Sequence, residues 1–190
     1  MPSPKELLLR LPRIVVMSRD AFESACPRLS DETGHSRYCQ MKKFGTHAVI
    51  SIRTPGSLTP GVGRCPARAS LLHVAADDFE NRAYEGCKLT LRRVHLFHHS
   101  DATRILTFAY RVKDRVDTIV CQCEGGLTQG PAVARALSIL FHGSEGLLTG
   151  YTSANSRVMG LLLEVGKSWS VPAETFASEN VEDEYFDVLE

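Results

Sequence analysis

No apolar run in this 190-residue chain approaches the roughly 20 residues that a membrane-spanning helix needs. No secretory leader is evident either. Leu7-Leu-Leu-Arg-Leu-Pro-Arg13 is broken by Arg10, Pro12 and Arg13 before an apolar region becomes long enough. There is no nucleotide loop ending in Gly-Lys-Ser/Thr, no dinucleotide fingerprint and no nucleic-acid module. The six cysteines (Cys26, Cys39, Cys65, Cys87, Cys121 and Cys123) need not form a disulfide framework, because a chain of this length with 43% hydrophobic residues can build a core without one. His95, His98 and His99, near Cys87, match no zinc-ligand spacing and read as a surface or partly buried cluster. These absences predict a soluble cytoplasmic protein with reduced thiols, no metal, no cofactor, and neither membrane nor nucleic acid as partner.

Basic residues are missing from the C-terminal stretch. Seven of the 22 acidic residues (Glu174, Glu179, Glu182, Asp183, Glu184, Asp187 and Glu190) lie there with none of the 22 Lys and Arg, so the first 173 residues carry +7 in a neutral chain. A basic body suits an anionic ligand, and an acidic tail can compete for the same surface. The expectation is one globular domain, 1–173, followed by a disordered acidic tail, 174–190.

Within the domain, apolar runs at 13–18, 47–53, 70–76 and 118–123 read as buried strands. Ser18 can cap a short helix ending before Pro27, and Ser100 can cap a helix running to about Lys113. Further helices are expected over 131–142, closed by Gly143, and over 154–165. Residues 28–45 read as irregular, and 88–97 as an extra strand or a covering segment. Strands alternating with helices predict an α/β fold, a central mainly parallel sheet with helices on both faces. Ligands of such sheets bind beyond the carboxyl ends of the strands, where Asp78 and Cys123 both fall.

The most informative stretch is Thr118-Ile-Val-Cys-Gln-Cys-Glu-Gly-Gly-Leu-Thr-Gln-Gly-Pro-Ala-Val-Ala-Arg-Ala-Leu137. It reads as a buried strand, a tight glycine loop and a helix opened by proline. A cysteine at the mouth of such a loop meets converging backbone N–H groups and the positive end of a helix dipole. That setting favours a thiolate and binds a tetrahedral anion at the same place.

Cys123 to Ala134, in this order of strands and helices, resembles the protein tyrosine and dual-specificity phosphatase superfamily, most of all its small bacterial members. That family's loop is a Cys, five residues, an Arg, then Ser or Thr, usually with a preceding His and often with Pro-Ala-Val-Ala after. Cys123, Glu124, Gly126, Pro131, Ala132, Val133 and Ala134 match it, and the broader likeness runs from about 13 to 166, including Ser18-Arg19-Asp20 and Asn155. The resemblance implies a phosphatase-like fold and Cys123 as nucleophile. It also implies a phosphate cradle of Glu124, Gly125, Gly126, Leu127, Thr128 and Gln129, and Asp78 as general acid with Asp77 as the alternative.

Three positions depart from the pattern: Gln122 replaces the His, Gln129 the Arg and Gly130 the Ser/Thr. Gln129 keeps a donor amide but brings neither charge nor a two-point guanidinium grip. Losing one such clamp typically costs on the order of hundreds-fold in rate. Arg53, Arg64 and Arg68 are the cations that could serve from outside the loop. The expected function is therefore a pseudophosphatase, which binds a phosphorylated ligand or partner protein through an anion loop with weak or absent turnover. An active cysteine-dependent phosphatase with an atypical loop is the alternative, and a non-catalytic interaction domain the further one.

Overall fold

The computed structural model describes residues 11–26, 40–60, 65–78 and 95–168. The acidic tail, Arg64, Cys87 and most of the 88–97 segment lie outside the described residues.

Four strands form one all-parallel sheet: β1 (Arg13–Ser18), β2 (His47–Arg53), β3 (Arg68–Ala75) and β4 (Thr118–Cys123), in spatial order β1-β4-β2-β3. Four helices accompany them: α1 (Arg19–Ala25), α2 (His99–Val112), α3 (Gln129–His142) and α4 (Ser156–Ser168). Because successive strand residues point to opposite faces, each strand feeds two cores. Ala48, Ile50, Ile52, Leu72, Val74, Ile119 and Cys121 meet α2, α3 and α4 through Ile105, Leu106, Leu137, Val158 and Leu162. On the other face Val49, Leu71 and Val120 meet Phe22 and Ala25 of α1, together with Met41 of a 3-10 helix over Gln40–Phe44. Helices thus cover both faces, which is why the central strands read as continuous apolar runs. Each fully enclosed Ile or Leu here contributes about 1.5–3 kcal/mol by leaving water.

The strand positions follow the sequence closely, and the helix starts do not. β3 begins at Arg68, two residues before the expected Ser70, since Arg68 already pairs with His47. α2 is capped at His98 rather than Ser100: the Asp101 carboxylate accepts from the His98 N–H at 2.9 Å, the task a serine hydroxyl would otherwise share. α3 opens at Gln129 instead of Pro131. The proline sits in the first turn, where its missing N–H would have no helical partner anyway. α4 starts at Ser156, later than expected, because Asn155 takes the capping position, its Oδ1 accepting from the Val158 N–H at 3.1 Å. The Ser18 cap of α1 and the left-handed Gly143 (φ 75°) that closes α3 match expectation. Of the 88–97 segment, His95 to Phe97 are described, and Leu96 makes a single parallel bridge to Asp77.

Candidate functional site

β4 lies inside the sheet, between β1 and β2, so the loop that leaves it emerges between two neighbouring strand ends. Ser18 at the end of β1 stands level with Cys123. The chain then turns over that strand end. Gly126 adopts φ 68°, and a Cβ there would lie 2.8 Å from the Ser18 nitrogen and 3.0 Å from its Cα. Only glycine satisfies both the backbone angle and the approach. The Arg19 N–H donates to the Glu124 carbonyl at 3.0 Å, fixing the start of the loop to the start of α1.

Cys123 is only 2% exposed and rests against the first turn of α3: a Cβ at Gly130 would lie 3.2 Å from its Sγ and 3.2 Å from the Cys121 carbonyl oxygen. A residue larger than glycine at 130 therefore crowds the thiol directly. Two residues back, Cys121 is fully enclosed. Burial, assisted by neighbouring Cys123, pushes its thiol far above the ordinary range, so it behaves as a small hydrophobe.

Gln129 is buried, and its Nε2 donates to the Ala76 carbonyl at 2.9 Å. Its amide is committed to tying α3 to the end of β3. Gln122 lies on the α1 face of the sheet and accepts from the Ser51 hydroxyl of β2. It stabilises strand pairing and faces away from the α3 side, to which Cys121 and Cys123 belong.

The two adjacent aspartates separate cleanly. Asp77 is buried, and its Oδ2 accepts from the His95 N–H at 2.8 Å while its own N–H donates to the His95 carbonyl at 2.7 Å. It holds the 95–97 segment to the end of β3. Asp78 is exposed and reaches the loop, accepting from the Thr128 hydroxyl through Oδ2 and from the Asn155 amide at 2.9 Å through Oδ1. Asn155 ties the cluster together, since its N–H also donates to the Thr128 carbonyl at 3.1 Å. With both oxygens accepting, Asp78 clasps the loop lip. The two bonds fix the direction of the carboxyl group and leave each oxygen a second lone-pair site.

Of the loop residues expected to cradle phosphate, Glu124, Gly125 and Leu127 are exposed, Leu127 at 62%, while Gly126 and Gln129 are buried and Thr128 is half-buried. The outside cations divide as well. Arg53 stands at the same sheet end as Cys123 and donates to the Ser57 carbonyl at 2.9 Å. Arg68 opens β3 and so stands at the opposite end, a correction to its expected place beside the loop. Among the described residues, the cation in direct contact with the loop is Arg19, which sequence reasoning had given no role. Its Nη1 reaches the Glu124 carboxylate at 3.2 and 3.4 Å and its Nε the Glu23 carboxylate at 2.9 Å. These carboxylates, Glu23 foremost, raise its already high pKa. The contact gave no local signal, because Arg19 and Glu124 stand 105 positions apart.

The histidine cluster has no metal geometry. His95 and His98 pack edge to face at 5.9 Å between ring centres, and His99 faces Glu164 at 3.4 Å. Among the described residues no group of three His, Cys, Asp or Glu side chains is placed to hold a metal ion. Nor is any described helix long and apolar enough to cross a membrane. Compared with known proteins, the chain matches no family model and no curated sequence.

Proposed function

We propose that this protein is a phosphatase-like domain of the cysteine-dependent type, whose loop at Cys123 receives a tetrahedral anion with little or no turnover. In this reading it serves as a pseudophosphatase, recognising a phosphorylated ligand or partner protein. The observation that carries the reading is a thiol at the start of a helix beside a neutral amide that is already bonded. Cys123 packs against the first turn of α3, while the Gln129 amide beside it is tied to the Ala76 carbonyl. A helix start directed at a loop favours an anion, and a neutral, committed amide supplies no charge to a transferring phosphoryl group.

Two measurements test it. Inorganic phosphate or vanadate is expected to slow alkylation of Cys123, and the protein is expected to hydrolyse a small aryl phosphate slowly or not at all. Gln129→Arg should raise turnover, and adding Gly130→Ser should raise it further only if the 3.2 Å contacts at Gly130 can relax by a few tenths of an ångström. Cys123→Ser in that background should abolish the gain, and Asp78→Asn should lower it most for poor leaving groups. Ordinary enzymatic turnover by the parent protein through Cys123 would replace this reading with an active phosphatase. Absence of anion protection in parent and variants alike would leave a non-catalytic interaction domain.

A further inference from the structure

Resting on the anion-loop reading above, we propose that Arg19 is the cation of this site, exchanging its bond to Glu124 for the oxygens of a bound phosphate monoester. Glu124 then stands in for the ligand while the site is empty, and its release is part of binding.

The argument begins with the frame. Ser18 pairs in register with Cys123, Gly126 touches the Ser18 backbone, and the Arg19 N–H is bonded to the Glu124 carbonyl. Arg19 and the loop therefore share one rigid base, and only their side chains need move. The guanidinium is held unevenly. Its Nε is anchored by Glu23 at 2.9 Å, whereas Nη1 makes two longer contacts, 3.2 and 3.4 Å, to Glu124. The Glu124 side chain is 62% exposed against 18% for Arg19. Such a solvated pair is worth little and is readily exchanged. A phosphate dianion carries more charge than the Glu124 carboxylate, and two of its oxygens can accept from the planar guanidinium fork, which favours exchange.

The other described cations near the site are committed to main-chain oxygens: Arg53 to Ser57, and Arg157 to Phe97 at 3.0 Å. Arg135 is engaged by Glu145 at 2.8 Å. Position 129 holds no charge. Arg19 is the one that already contacts a carboxylate on the loop itself. Glu23 remains bonded at Nε throughout, so the guanidinium pivots about a fixed point and does not have to be ordered anew.

The test uses the intact protein and inorganic phosphate, titrated by calorimetry at low salt with thermal melts to verify folding. Opposite effects are expected from the two partners of one ion pair. Arg19→Gln should weaken phosphate binding about tenfold or more and flatten its salt dependence. Glu124→Gln should tighten it several-fold, and that gain should shrink in the Arg19→Gln background. Arg19→Lys, keeping charge without the fork, should fall between. If Arg19→Gln leaves a measurable wild-type affinity within twofold, or if both substitutions weaken binding alike, the pair is a structural brace and the proposal is overturned while the anion loop stands. If wild-type protein binds no phosphate, both the loop reading and this one fall.

Discussion

The two ends of the sheet solve one problem in different ways. At the end where the strands begin, leftover backbone groups are closed between just two segments, 44–46 and 117–118. The Asp117 and Thr118 N–H groups donate to the Thr46 carbonyl, Thr46 donates back to the Asp117 carboxylate, and the Thr118 hydroxyl donates to the Phe44 carbonyl. At the end where the strands finish, the partners come from four distant places. Arg19, Asp78, the 124–128 loop and Asn155 meet there through side chains that are partly in water. A network anchored on main-chain bonds has fewer ways to rearrange, whereas side-chain bonds at a solvated rim can be traded for bonds to a ligand. The first end is built to hold and the second to exchange.

Two glycines with positive φ make the sharpest comparison, and the largest expected effect. A Cβ at Gly126 would meet Ser18 backbone, which cannot move without disturbing β1. Gly126→Ala should cost about 2–4 kcal/mol, from strain and overpacking together, and should distort the loop. A Cβ at Gly45, at the opposite end, would come within 2.4 Å of the Asp117 carboxylate, a side chain that can swing aside. Gly45→Ala should cost about 1–2 kcal/mol, chiefly the backbone angle and the lost bond to Thr46. Urea unfolding of the two variants decides. Equal losses would remove the distinction between a backbone and a side-chain obstacle.

Next in size is a pair of polar deletions. Asn155→Ala removes a helix cap and a partner of Asp78, and should cost about 2–3 kcal/mol. It should also loosen the 124–128 loop and change phosphate affinity. Thr118→Val, at the holding end, should cost about 1 kcal/mol and leave phosphate affinity as it was. Asn155→Asp is the finer probe. It keeps an acceptor for the Val158 N–H but sets a carboxylate against Asp78, so its deficit should be larger at neutral pH than at pH 4. An Asn155→Ala protein with unaltered loop and affinity would show that the clasp is only a helix cap.

The α/β fold, the four strands and their parallel arrangement were legible because a strand buried on both faces declares itself as an uninterrupted apolar run. Position 123 was legible for the same reason, as the last apolar residue before a glycine loop. What the chain's local order concealed was the direction of polar side chains. Nothing adjacent to Gln129 announces that its amide turns to Ala76, 53 positions earlier. Asp77 and Asp78 are indistinguishable as letters. Strand alternation and the bridge to Leu96 send one inward to His95 and the other out to Thr128 and Asn155. Helix starts misled because His98, Thr128 and Asn155 precede helices whose caps depend on partners three residues on, or on another element, rather than on a serine close by.

The last effect belongs to His47, at the holding end. It is fully enclosed at the first position of β2, with Nδ1 3.0 Å from the Gly45 carbonyl and no partner for Nε2 among the described residues. Burial lowers its pKa, and the Arg68 charge adds to this against the opposing bond to Gly45. The folded state therefore binds this proton less readily than the unfolded chain, whose histidine titrates near the ordinary value of about 6.5. The stability that neutral His47 contributes is complete above that value and is lost as pH falls from there through the lower folded-state value. One proton sets a slope of at most about 1.4 kcal/mol per pH unit. Urea melts between pH 8 and pH 5 should show that slope, and His47→Gln, which cannot take up the proton, should flatten it at some general cost in stability. The same pH series applied to phosphate binding should owe nothing to His47, because the histidine sits at the opposite end of the strands from Cys123. If His47→Gln instead shifted the pH dependence of phosphate binding, the two ends would be coupled through β2 and β4, and their division into a holding end and an exchanging end would fail.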